Sequence, residues 1–193
     1  MSHFERFALF TISLIVFLSP IAFATDTEFK VVATSKTSTS EKEMNEAAEA
    51  GYRFAGVMGG ETSFGGSEAV TIMYRVRGEE KKRFTYKLLA TSKTSTMQKE
   101  MQAAGDEGFD YKGQTVYKSA FGGKEVIVIL ERDQEQRNRP EYEYRLLATK
   151  KTSTMQKELS EAGAAGFEFV GVTIGDSALG GAEVISILRR VRK

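Results

Sequence analysis

The stretch Lys93–Glu100, KTSTMQKE, occurs again unchanged at Lys151–Glu158, and a close relative, KTSTSEKE, fills Lys36–Glu43. Aligned on ATSKTST at Ala33 and Ala90 and on ATKKTST at Ala148, the copies lie 57 and 58 residues apart. The same register brings Phe64-Gly65-Gly66, Phe121-Gly122-Gly123 and Leu179-Gly180-Gly181 together with no gap inside a copy. A fixed period of this length is the mark of a repeated supersecondary unit. The chain therefore divides into repeats over 25–77, 84–132 and 142–193, joined by charged linkers over 78–83 (GEEKKR) and 133–141 (DQEQRNRPE).

Each repeat opens on an alternating segment. In FTYKLLAT, Phe84, Tyr86, Leu88 and Ala90 share one face, while Thr85, Lys87, Leu89 and Thr91 share the other. That is the period of a half-buried strand. A helix follows. Ser95 with Gln98 has the spacing of a capping box, as do Ser153 with Gln156 and Ser38 with Glu41. Met97, Met101, Ala104, Gly105 and Gly108 form one apolar stripe, and Gly51, Gly108 and Gly166 stand where a left-handed residue would end the helix. Gly105 and Gly163 lie inside it, where glycine is unfavourable; Ala48 holds that place in the first repeat, so a close approach of helix to sheet is expected there.

YRFAGVMGG, FDYKGQTVY and FEFVGVTIG read as second strands, with mid-strand glycines (Gly56, Gly113, Gly171) that point to a bulge or a tight backbone contact. EAVTIMYRV, EVIVILER and EVISILRR read as third strands. Both faces of the middle one are apolar, which places it at a sheet centre. The expected fold is α+β: three tandem β-α-β-β repeats, each a mainly antiparallel three-stranded sheet in the order 1-3-2 with one helix. A unit this small is marginal alone. The uncovered faces, carrying Leu89, Leu147 and Ile127, are expected to pack together with pseudo-threefold symmetry, the alternative being three loosely strung domains.

Composition narrows the function classes. Residues 1–24 have the basic start, apolar run and AFA at Ala22–Ala24 of an export signal, with cleavage expected after Ala24 and an uncleaved anchor as the alternative. The expected location is periplasmic or secreted, with no membrane association after cleavage. There is no cysteine, and the one histidine, His3, falls in the signal segment. Disulfides, thiol nucleophiles, Ser-His systems and zinc sites built on imidazole or thiolate are thereby excluded from the rest of the chain. Net charge is +1 with both signs interspersed, which gives no electrostatic basis for nucleic acid as a partner. No cofactor, metal site or catalytic residue is expected.

YEYRLLAT, ELSEAGAAGFEFVGV (Glu158–Val172) and EVISILRR resemble the small bacterial family catalogued as domain of unknown function 4177. That family's pattern is a Tyr-rich first strand, a helix ending L-x-x-x-G-x-x-G-[WF]-E-[LF]-V and a closing strand with terminal Arg. The third repeat matches through Leu159, Gly163, Gly166, Phe167, Glu168, Phe169 and Val170; the second keeps Gly105, Gly108 and Phe109 but has Asp110, and the first has Ala48, Tyr52 and Arg53. The resemblance implies the β-α-β-β fold and supplies no reaction.

LLAT(S/K)KTSTMQKE agrees between the second and third repeats at twelve of thirteen positions, whereas the next twenty agree at eight. The strand-to-helix turn is thus the most restrained segment. A demanding turn with hydroxyls serving free helix N–H groups accounts for this. The functional alternative is an anion site formed by Lys36, Thr37 and Ser38, by Lys93, Thr94 and Ser95, and by Lys151, Thr152 and Ser153 at the positive helix ends. The upstream glycines of a P-loop are missing. Glu68, Glu125 and Glu183 could serve as paired carboxylates of a hydrolase, and Ser95 or Thr96 with Lys99 as a dyad, but edge-strand charges and solvated lysines are the commoner explanation. Tyr111 and Tyr117 with Lys112 and Lys118 mark the middle second strand as a candidate edge for strand addition, or as an edge guarded by its lysines. The expected function is an exported, non-enzymatic interaction or structural module whose partner is an unknown protein or a copy of itself. The alternatives are an anion or small-ligand binder and a carboxylate hydrolase.

Overall fold

The computed structural model describes residues 26–62, 66–79, 82–118, 124–176 and 181–192; the expected export segment and the FGG and LGG turns up to residue 180 lie outside them, apart from Gly66. In chain order the elements are β1 (Thr27–Thr34), α1 (Thr37–Glu49), β2 (Arg53–Thr62), β3 (Gly66–Val76), β4 (Phe84–Thr91), α2 (Thr94–Asp106), β5 (Asp110–Lys118), β6 (Lys124–Asp133), β7 (Tyr142–Thr149), α3 (Thr152–Ala164), β8 (Glu168–Asp176) and β9 (Ala182–Val191). Three antiparallel sheets result, β1-β3-β2, β4-β6-β5 and β7-β9-β8, each with its third strand at the centre. The α+β class, the threefold repetition and the strand order are those expected.

Local chemistry explains the elements. All three helices end alike: Gly51, Gly108 and Gly166 take φ of 90°, 82° and 81°, and the next residue's N–H (Tyr52, Phe109, Phe167) donates to Ala47, Ala104 and Ala162. This is a Schellman closure, and only glycine reaches that φ without strain. Each second strand carries a bulge just before its glycine, between Phe54 and Gly56, Tyr111 and Gly113, and Phe169 and Gly171.

The repeats are stacked rather than arranged around a threefold axis. α1 packs on β4 of the next repeat as well as on its own β1, and α2 packs on β7 as well as on β4. Each inner helix is therefore shared by two sheets. β2 lies against β5, and β5 against β8, so the main inter-repeat contacts all join neighbours in sequence. The first core joins Val32, Met44, Met73, Tyr86, Ile127 and Ile129 across repeats one and two. The second joins Met97, Met101, Val128, Tyr144, Ile185 and Ile187 across repeats two and three. The third holds only Ala162, Phe167 and Leu188, with Leu147 and Leu159 half-buried beside it.

Stacking explains why a central strand is apolar on both faces. Val126 to Leu130 of β6 are buried without a break, since α2 covers one face and α1 the other. β3 has the same apolar character but alternates: Ala69, Thr71 and Met73 are buried under α1, while Val70 and Ile72 on the other face stay half-exposed. No helix precedes β1 among the described residues to cover that face.

Candidate interaction surface

The repeated turn does local work first. The Lys36, Lys93 and Lys151 N–H groups donate to the hydroxyls of Thr34, Thr91 and Thr149 at 3.1, 3.2 and 3.2 Å, which holds the chain as it leaves the strand. The same lysines are the helix N-caps, in extended backbone with no side-chain cap bond. The capping boxes are thus not formed, and Gln98 does something else.

Gln98 Nε2 donates to the Tyr144 carbonyl at 2.9 Å, and its Oε1 accepts from Leu146 N–H at 2.8 Å. Gln102, one turn on, accepts from Tyr144 N–H at 3.0 Å and donates to the Tyr142 carbonyl at 3.2 Å. Two amide side chains therefore pair with the outer edge of β7, as a neighbouring strand would. At the first boundary, Asn45 exchanges both bonds with Tyr86 at 2.9 Å, and Glu41 Oε2 accepts from Leu88 N–H at 2.7 Å. Outward backbone groups in the middle of two edge strands are satisfied in this way, which limits open pairing there. Tyr86 is held inside: its hydroxyl donates to Glu131 at 2.6 Å and accepts from Phe54 N–H at 2.8 Å. Burial, reinforced by the Glu131 charge, pushes its pKa well above the usual phenol value.

The glycines within α2 and β5 make these approaches feasible. A Cβ on Gly105 would meet the Tyr142 carbonyl and the Tyr144 ring, so the close approach expected at this position is made to the next repeat. A Cβ on Gly113 would lie 3.1 Å from Phe54 Cζ, and one on Gly171 would overlap Tyr111. The Tyr111 and Tyr117 side chains are therefore engaged within the stack, although β5 is the outer strand of its sheet. Tyr111 packs into the second core and Tyr117 into the first, while Lys112 pairs with Glu131 at 3.2 Å.

At the two ends of the stack the same positions are uncovered. Tyr86 and Leu88 are 2% and 8% exposed, whereas Phe29 and Val31, their equivalents in β1, are 67% and 59% exposed. α3 buries only Ala162, where α2 buries Met97, Met101, Ala104 and Gly105. Gln156, the counterpart of Gln98, is exposed and donates no further than Ser160 of its own helix, at 3.3 Å. Among the described residues, every large exposed apolar side chain belongs to an outer repeat. Phe29, Val31 and Met58 are in the first, Phe169, Val172, Ile174, Val184 and Val191 in the third, and none is in the second. A monomer rarely leaves such patches without a use.

The residues proposed for anion binding sit as follows. Lys36, Ser38, Lys93, Ser95, Lys151, Thr152 and Ser153 are exposed, and Thr37 and Thr94 are half-buried. Thr94 donates to Glu183 of the next repeat at 2.9 Å, so a carboxylate of the chain itself already stands at the start of α2. Glu183 is thereby a boundary residue. Its counterpart Glu125 accepts from Tyr117 at 3.4 Å.

The closing arginines were not singled out from composition, yet they have one repeated duty. Arg75, Arg132 and Arg190 donate to the carbonyls of Ala50, Glu107 and Ala165 at the helix ends and lie over the rings of Tyr52, Phe109 and Phe167. Cations at a helix C-terminus and over an aromatic face are favourable on both counts. An aromatic just after the terminating glycine and an Arg near the chain end of each repeat was the available signal. A cavity of about 260 Å³ adjoins the first cluster, but its Arg75 and Arg77 are already bound by Glu28. Those two guanidinium groups, Arg77 foremost, hold the Glu28 carboxyl down to about 2. No helix among the described residues is long and apolar enough to cross a membrane. No family model matches the chain, and no curated protein or solved structure matches it significantly.

Proposed function

We propose that the protein is an exported, non-catalytic interaction module that binds a protein partner through the uncovered ends of its repeat stack. The observation that carries this is the segregation of exposed apolar side chains to the outer repeats, with none in the middle one among the described residues. Repeat stacks behave in this way: each unit buries its face on a neighbour, and the terminal faces need a polar cap or a partner. Here Phe29 and Val31 at one end, and Phe169 and Ile174 at the other, are exposed and not capped by any of the described residues. The signal-like 1–24 segment supports the location, and the resemblance of each repeat to the family of unknown function supports a role without chemistry.

The test is capture from an envelope extract by the tagged protein and by Phe29→Asp and Phe169→Asp. Both side chains are exposed, so the variants keep the fold. The reading expects at least one substitution to remove the captured protein. Capture that is indifferent to both, or turnover of a glycoside or ester that is lost on changing Glu125 or Glu183, would overturn it.

A further inference from the structure

We propose that the partner is a second copy of this chain, bound head to tail, with the α3 end of one copy seated on the β1 end of the next. This rests on the interaction-module reading and names its occupant. The chain makes the same kind of boundary twice internally, and the two free ends are the unmatched halves of a third.

The polar seam comes first. At the inner boundaries a helix places side chains at two positions one turn apart against a strand edge: Glu41 and Asn45 on β4, Gln98 and Gln102 on β7. α3 keeps the first of these as Gln156, exposed, and β1 presents the matching backbone edge at Phe29 and Val31, also exposed. An outward-facing amide and an uncovered strand edge are each other's complement.

The glycines give a second, independent match. Gly105 sits in a helix because the Tyr142 backbone and Tyr144 ring of the next repeat fill the space beside it. Gly163 occupies the same place in α3, yet nothing lies within 4 Å of where its Cβ would be. A helix-interior glycine weakens the helix and has no use here unless a strand arrives. The bulge glycines tell the same story from the other side. Gly113 receives Phe54 and Val57, and Gly171 receives Tyr111 and Gln114, but Gly56 has nothing within 4 Å. The side chains equivalent to Phe54 and Val57 at the tail are Phe169 and Val172, both exposed. Tail aromatic and head glycine are left over together.

Charge agrees. Asp110 of repeat two pairs with Arg189 of repeat three across the inner boundary. The corresponding tail residue is Glu168, which stays largely exposed although Arg189 of its own sheet reaches it at 3.3 Å, and the corresponding head position is Tyr74, with Arg53 Nε bound to its hydroxyl at 2.5 Å. An acid again meets a site that carries an arginine. A contact between two different surfaces of one chain is heterologous, so it propagates until rotation closes a ring or continues as a filament.

The experiment is light scattering and sedimentation of the protein over a wide concentration range, alone and as variants. The protein is expected to self-associate. Phe29→Asp (head) and Phe169→Asp (tail) should each weaken association by more than about tenfold, since a charge enters a patch meant to be dry. An equimolar mixture of the two retains one intact tail and one intact head, and should form a heterodimer that grows no further. A second pair, Gly56→Leu and Gln156→Ala, should behave alike, and circular dichroism checks that each variant is folded. A chain that stays monomeric throughout, variants that associate as well as the parent, or a mixture that does not recombine would each overturn the inference. If the chain is monomeric while the same two substitutions abolish capture of another envelope protein, this inference falls and the interaction-module reading stands. If capture is also unaffected, both fall.

Discussion

Gly105→Ala and Gly163→Ala are the same change at the same helical position, and the fold assigns them opposite signs. In each helix, alanine gains about 1 kcal/mol over glycine from backbone entropy and shielding. At Gly163 nothing opposes this, because no atom lies within 4 Å of the new methyl group. Gly163→Ala should therefore stabilise the monomeric chain by about 1 kcal/mol, raising Tm by about 2–4 °C in a chain of this size. At Gly105 the methyl group meets the Tyr142 carbonyl, which is backbone and cannot swing aside, and Tyr144 Cδ2 at 2.9 Å. Overpacking of that kind costs about 1–3 kcal/mol. Relief by retreat of α2 would stretch the four Gln98 and Gln102 bonds to β7, each worth about 1 kcal/mol. The net expectation is a loss of about 2 kcal/mol and a lower Tm by about 4–8 °C. Urea and thermal unfolding followed by circular dichroism, at a dilution where the parent is monomeric, decide the matter. Two shifts of the same sign would refute the shared-helix arrangement from which the whole reading starts.

Gln98→Ala should cost about 1–3 kcal/mol, because it strands the Leu146 N–H and the Tyr144 carbonyl, while Gln156→Ala should change monomer stability by less than about 0.5 kcal/mol; the paired urea curves test the contrast. Burial raises the pKa of Tyr86, Tyr111 and Tyr144, so their contribution is intact below the ordinary phenol value of about 10 and is lost as pH climbs above it. Phenolate absorbance should therefore appear together with loss of far-ultraviolet dichroism, and ionisation of all tyrosines in a still-folded chain would contradict this. Glu28 is lowered to about 2 by Arg77 and Arg75, so its pairing is present above the ordinary carboxylate value and fades only as pH falls toward about 2. Carboxyl carbon chemical shifts should show Glu28 still ionised at pH 3, and an ordinary titration midpoint would show that these pairs are absent in solution.

Much of this fold was readable because each signal was local. The spacing of KTST fixed the repeats, alternation in FTYKLLAT and YEYRLLAT fixed the first strands, and Gly51, Gly108 and Gly166 marked helix ends that the φ angles bear out. The candidate surface was harder to see, since it depends on partners more than forty residues away. Ser95 and Gln98 fit a capping box by spacing, yet the same Gln is long enough to reach β7, and a tertiary edge with unpaired N–H and C=O groups is the stronger claimant. Likewise VTIM of β3 and VIVIL of β6 look equally apolar, and only the placement of α1 shows that one is covered on both faces and the other on one. The misfit of Gly105 in an otherwise good helix announced a close approach, but not that the approaching strand belongs to the next repeat.

The sharing of each inner helix between two sheets bears on copy number. A closed ring fixes its own membership, because the last unit must meet the first at a set angle. In this stack a boundary requires only a helix with a polar pair on one side and a strand edge on the other, and α1 with β4 and α2 with β7 meet that requirement with different side chains. Adding a unit at an end would extend the same kind of boundary with no closing angle to satisfy, whereas deleting the middle repeat would set Arg53 where Asp110 now meets Arg189. The packing between neighbouring repeats therefore imposes no number of its own.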